Sequence, residues 1–123
     1  MTALNIAFEA PDNSRGGPRP SQSRPIDLVH LARQTMGDKA LEIEVLQMFA
    51  RQARGCLQEI ASGEADRVQA AAHRLKGAAS AVGAFGVSQA AEAMEGAIND
   101  AGRMASVGAA VAEAENFILK LCR

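Results

Sequence analysis

Aromatic side chains are nearly missing from this 123-residue chain: it has no Trp and no Tyr, and aromatics make up 3% of the total. Sandwiches and barrels draw on aromatic and β-branched residues, so this shortage, beside a hydrophobic fraction of 48% rich in Ala, points to closely packed helices. An excess of charge of one sign is missing too. Thirteen basic and fourteen acidic residues are interspersed for a formal net charge of -1, which leaves no strong field to draw the chain to nucleic acid or anionic lipid. Cysteine is scarce. Cys56 and Cys122 have no CxxC or Cys/His spacing, and both are expected to be reduced thiols rather than a disulfide or metal ligands. The longest charge-free stretch, Gly77 to Ala91, falls short of the roughly 18 apolar residues that a membrane span needs. The opening MTALNIAFEAPDNSRGG lacks the basic region and apolar run of a secretory signal. These absences give the expectation of one cytoplasmic domain that binds neither membrane nor nucleic acid.

What is present is helical periodicity. Residues 1–25 end in SRGGPRPSQSRP, where Pro, Gly and Ser oppose a helix and offer little apolar surface to offset ordering, so a flexible tail is expected there. The domain is expected over 26–123. A short first helix runs from Ile26, with Leu28, Leu31, Ala32 and Thr35 near helical spacing and Gly37 suited to end it. Asp38 is a good N-cap for a long second helix to about Ser62, with Leu41, Val45, Met48, Phe49, Cys56, Leu57 and Ile60 inward. The third starts near Glu64 and turns Val68, Ala71, Ala72, Leu75, Ala79 and Val82 to one side. A fourth is expected over Val87 to Ala101, with Val87, Ala90, Met94, Ala97 and Ile98 inward. A fifth runs from about Ser106 with Val107, Ala110, Val111, Ala114, Phe117, Ile118 and Leu121 inward. With no strand-like alternation, the pattern predicts an all-α fold: an antiparallel four-helix bundle with the short N-terminal helix as a lid.

One helix carries residues that packing does not explain. At 100° per residue, His73 lies roughly 150° from the centre of the third helix's apolar set and therefore faces outward. Lys76 and Gly77 share that face, with Gln69 and Ser80 a turn to either side. A lone helical histidine is ordinarily a satisfied core residue or an idle surface one; the wheel rules out the first. A metal site would want a second ligand one turn on, where Gly77 stands instead, and the other histidine, His30, belongs to the first helix. No metal is expected. Glycine inside a helix costs about 1 kcal/mol relative to Ala, in a segment that uses Ala at 70, 71, 72, 78, 79 and 81. Removing the Cβ there flattens the surface beside a nucleophile, as close approach of another protein requires.

The run His73-Arg74-Leu75-Lys76-Gly77, followed by Gly83 and then Met94-Glu95, resembles the motif of histidine phosphotransfer (HPt) domains. It covers about Asp66 to Glu95, while the flanking helices agree in number and order. The resemblance implies a carrier whose His73 takes a phosphoryl group from a receiver-domain aspartate or a kinase and passes it to another receiver. It implies that Lys76 neutralises phosphoryl oxygens, that Gly77 admits the receiver's loops, and that Glu95 accepts a hydrogen bond from the histidine's Nδ1-H. It implies a structural role for Gly83 in ending the helix. Gln69, Ala70, Arg74, Lys76 and Ser80 would surround the histidine in the receiver docking face. The partners implied are receiver domains and hybrid histidine kinases, with a monomeric carrier that binds no cofactor and Mg²⁺ held by the partner receiver.

Two other readings stand beside it. One is an adaptor that docks receivers or kinases without carrying phosphate; retention of His73, Lys76 and Gly77 together weighs against it. The other is the phosphoacceptor domain of a multidomain histidine kinase. The chain has neither GxxxxGK[ST] nor a glycine-rich loop between strand and helix, so independent use of ATP is not expected. No serine or cysteine partner for His73 can be argued from one helix, which disfavours a hydrolase. The sequence leaves the cognate partners and the direction of phosphoryl flow open.

Overall fold

The computed structural model describes residues 24–122; the expected tail, up to residue 23, lies outside them. Five helices follow in order: α1 (Leu28–Thr35), α2 (Lys39–Ala61), α3 (Ala65–Val82), α4 (Phe85–Gly96) and α5 (Ala101–Leu121), with no strand among the described residues. The last four form the bundle as a ring in which each packs on its chain neighbours and α5 closes against α2, while α1 lies across α2 and α3.

Aspartates start three of the helices. Asp27 accepts hydrogen bonds from the backbone N–H groups of Val29 and His30, Asp38 from Leu41 and Asp100 from Arg103. Each satisfies donors that the first turn leaves without helical partners, an effect of about 1 kcal/mol. The Asp100 cap corrects the expected boundary between the last two helices. The chain leaves helical geometry at Ala97 and re-enters at Ala101, so the fourth helix is shorter and the fifth longer than periodicity predicted.

On α3 the buried set is the predicted one: Val68, Ala71, Ala72, Leu75, Ala79 and Val82. On α2 the inward face is rotated relative to expectation. Leu46 and Ala53 are fully buried beside Phe49, Cys56 and Ile60, whereas Leu41 and Met48 are 40% and 60% exposed. The stripe also carries Glu42 inward. Its carboxylate accepts from the Thr35 hydroxyl at 3.3 Å and from Lys39 Nζ at 3.4 Å, which ties the α1–α2 corner and supplies partners that an interior charge needs. On α4, Ala91 and Ser88 are buried with Val87 and Met94, and Ala90 is only partly covered; on α5, Leu121 is exposed.

Gly83 ends α3 in the left-handed region at φ 86°, as a glycine just past a helix commonly does. It also meets the start of α1. The Asp27 N–H donates to the Gly83 carbonyl at 2.9 Å, and a Cβ at position 83 would stand 2.8 Å from the Asp27 carbonyl oxygen. The lid helix is thus locked to the C-terminal end of α3 by backbone contact, and the fully buried Ile26 anchors the same junction.

Cys56 lies inside the α2–α3 seam at 2% exposure. Burial pushes its thiol above the ordinary range, against the opposing pull of the Arg74 guanidinium. Cys122 is half-buried. At pH 8 the native protein is expected to react rapidly with one equivalent of a thiol reagent, at Cys122, and with a second only on unfolding; two fast equivalents would contradict the burial. The same shift sets a sign. In alkali the unfolded chain gives up the Cys56 proton before the folded one does, so this thiol's contribution makes stability fall as pH rises through and above the ordinary thiol range.

Candidate functional site

His73 sits on α3 on the side opposite its core stripe, with its side chain 75% exposed. One contact fixes it. Its Nδ1 lies 2.9 Å from Glu95 Oε2 on α4, and because a carboxylate at neutral pH only accepts, the ring donates its Nδ1-H and leaves the Nε2 lone pair pointing to solvent. Glu95 is 18% exposed, so the anchor is largely sheltered while the ring's other nitrogen is open.

Lys76 extends the arrangement along the α3–α4 seam. Its Nζ stands 3.8 Å from Glu95 Oε1 and 3.8 Å from Glu92 Oε2. One turn further on, the Ser80 and Ser88 hydroxyls are 2.7 Å apart. The antiparallel helices are therefore joined by a ladder of polar rungs running from His73 to Ser80, spaced by the three- and four-residue steps that align side chains on one helical flank.

The other flank of His73 faces α2. Arg74 donates to Glu59 at 2.7 Å, and this hydrogen bond together with the carboxylate charge holds its guanidinium even more firmly protonated than usual. Between the flanks, Gln69, Ala70 and Gly77 are exposed. Among the described residues nothing lies within 4 Å of where a Gly77 Cβ would project, so none of their contacts requires the glycine.

The structure therefore brings His73, Lys76 and Glu95 together across two helices, with Gln69, Arg74 and Gly77 around the histidine. Ser80 departs from the expected docking face: it is half-buried and its hydroxyl is spent on Ser88 in the seam. Glu92 stands three residues before Glu95 and hence on the same flank of α4, a spacing from which the sequence offers it as an addition to the polar rim. Two residues joined to this cluster, Glu59 and Ser88, were not selected from the sequence. For Glu59 no signal existed, because its pairing with Arg74 depends on the rotation of α2 against α3.

Among the described residues no group of three or more His, Cys, Asp or Glu side chains is placed to hold a metal ion, and no described helix is long and apolar enough to cross a membrane. A family model described as Hpt domain matches residues 44–122, more than half of the chain and all of the site just described. No curated protein and no solved structure gives a match.

Proposed function

The chain belongs to the Hpt domain family, whose work is phosphotransfer in two-component signalling, and from that premise we propose that His73 is the phosphoacceptor and that this chain relays phosphoryl groups between receiver domains. The observation that carries the reading is the anchored contact of His73: Nδ1-H is committed to Glu95 at 2.9 Å, and among the described residues Nε2 has no hydrogen-bond partner.

In the forward step the Nε2 lone pair attacks the phosphorus of a receiver's aspartyl phosphate. The P–N bond forms as the P–O bond to aspartate breaks, and the carboxylate leaves. Nδ1 keeps its proton, and the Glu95 carboxylate offsets the positive charge that the ring acquires. Lys76 stands one turn away as a compact cation for the phosphoryl oxygens, while the partner receiver supplies Mg²⁺. The return step to a second receiver is the same exchange reversed. The docking surface in this reading is the exposed strip of Gln69, Ala70, His73, Arg74 and Gly77.

Gly77 gives a test in which stability and activity move apart. Gly77→Ala adds a methyl into open space and removes a poor helix former, so stability is expected to rise by up to about 1 kcal/mol. The same methyl stands between the histidine and an arriving receiver, so transfer is expected to slow by roughly tenfold. Thermal melts and transfer rates on one preparation read both; a variant that is stabilised and transfers at the parent rate removes Gly77 from the docking surface.

The reading itself is tested by incubating the protein with a panel of labelled phospho-receivers and Mg²⁺. Label that moves to this chain, is lost in acid and survives alkali is the expected result. If receivers bind but none transfers label, the chain is a docking adaptor and Lys76 and Glu95 lose their assigned roles.

A further inference from the structure

We propose that Glu92 sets how strongly His73 retains a phosphoryl group, by competing with that group for the Lys76 ammonium. The inference rests on His73 being the phosphoacceptor and adds a tuning element to it.

Lys76 Nζ is shared between two carboxylates at the same distance, 3.8 Å from Glu92 and 3.8 Å from Glu95. The two are not equivalent. Glu95 is 18% exposed and already accepts from His73. Glu92 is 66% exposed, and among the described residues its one ion pair is with Lys76. Glu92 is therefore a carboxylate whose position serves the lysine alone.

A phosphoryl group on Nε2 places close to two negative charges beside this cluster. Lys76, a compact cation on a flexible stem, moves toward the denser charge. Two effects of Glu92 then act in the same direction. It holds the ammonium back in the unphosphorylated state, and once Lys76 has moved it remains as an unpaired like charge near the phosphoryl oxygens. Both raise the free energy of the phosphorylated form relative to the free form, which suits a carrier that must release what it accepts. Because Lys76 and Glu92 are partly solvated, the effect is a few-fold one and weakens with salt.

The test loads the full chain with phosphoramidate, which needs no partner protein. Nε2 forms the new P–N bond, the donor's P–N bond breaks, and ammonia leaves from the donor's protonated nitrogen while Nδ1 keeps its proton. At fixed phosphoramidate and ammonium, phosphorus NMR gives the ratio of phosphorylated to free protein for the parent and for Glu92→Gln, Lys76→Met, the double variant, and Glu113→Gln as a control for loss of one surface charge. The expected result is a ratio about threefold higher in Glu92→Gln, a smaller gain when Lys76 is already Met and only the like-charge repulsion is left, a gain that falls toward unity in 1 M salt, and no gain in Glu113→Gln. An unchanged or lower ratio in Glu92→Gln, an equal gain in the control, or a full gain without Lys76 overturns the proposal and leaves the carrier reading standing. A parent protein that cannot be loaded on His73 overturns both.

Discussion

Replacing His73 with Gln is expected to remove all acid-labile phosphorylation while leaving the bundle as stable as the parent. The side chain is 75% exposed, and among the described residues its one hydrogen bond is to Glu95. Gln keeps a polar group that can donate toward that carboxylate, but its amide nitrogen has no available lone pair with which to attack phosphorus. Loss of label below detection is thus a chemical result, and a melting curve within about 0.5 kcal/mol of the parent separates it from unfolding. Label that persists at parent levels in the variant would move the phosphoacceptor elsewhere, and His30 would be the next residue to replace.

The largest structural effect is expected at Gly83. Two independent penalties meet there: a backbone at φ 86° that residues with a Cβ seldom adopt, and a methyl that would lie 2.8 Å from the Asp27 carbonyl oxygen. Left-handed strain and forced overpacking each cost on the order of 1–3 kcal/mol, and alanine, the smallest side chain that meets either, is expected in the lower part of their sum, at about 2–4 kcal/mol. For a domain of this size that lowers Tm by roughly 10–20 °C. Gly63 provides the comparison, because it has φ 76° but nothing within 4 Å of its Cβ direction; Gly63→Ala is expected to lose only about 1 kcal/mol. Urea unfolding of both variants measures the difference. Equal losses would show that the α1–α3 junction is not as tightly closed as the backbone contact implies.

The α3 face and the outward direction of His73 were legible because they follow from a period of 3.6 within one helix, whereas the pairing of Glu95 with His73 was expected only from the family resemblance, since no periodicity pairs residues on two helices. The rotation of α2 was not legible. Its sequence mixes polar and apolar residues so that two adjacent stripes compete, and the stripe that wins includes Glu42, a carboxylate that periodicity assigns to solvent. Lys39 pairs with it from within α2, but its shelter comes with the Thr35 hydroxyl, a partner in reach only once α1 has folded over α2. The α4–α5 boundary was missed for a local reason: Asp100 is a capping residue within an Ala-rich stretch whose apolar spacing runs on through it. Ser80 lies within about 20° of His73 on the wheel, yet it is half-buried because the Ser88 hydroxyl of α4 meets it at 2.7 Å, a contact across the seam that the periodicity of one helix does not carry.

On α3, every residue that supports the core lies on one side, and His73, Gln69, Ala70 and Gly77 lie on the other with little intramolecular work to do. The proposed docking face is in this sense mechanically idle in the folded chain. Substitutions there leave the core contacts in place, so on the proposed reading partner preference can drift over evolutionary time by single steps, none of which has to pass through an unfolded chain. A gene duplicate of such a chain could acquire a new receiver by altering a handful of surface codons while its phosphoryl chemistry stays as it was.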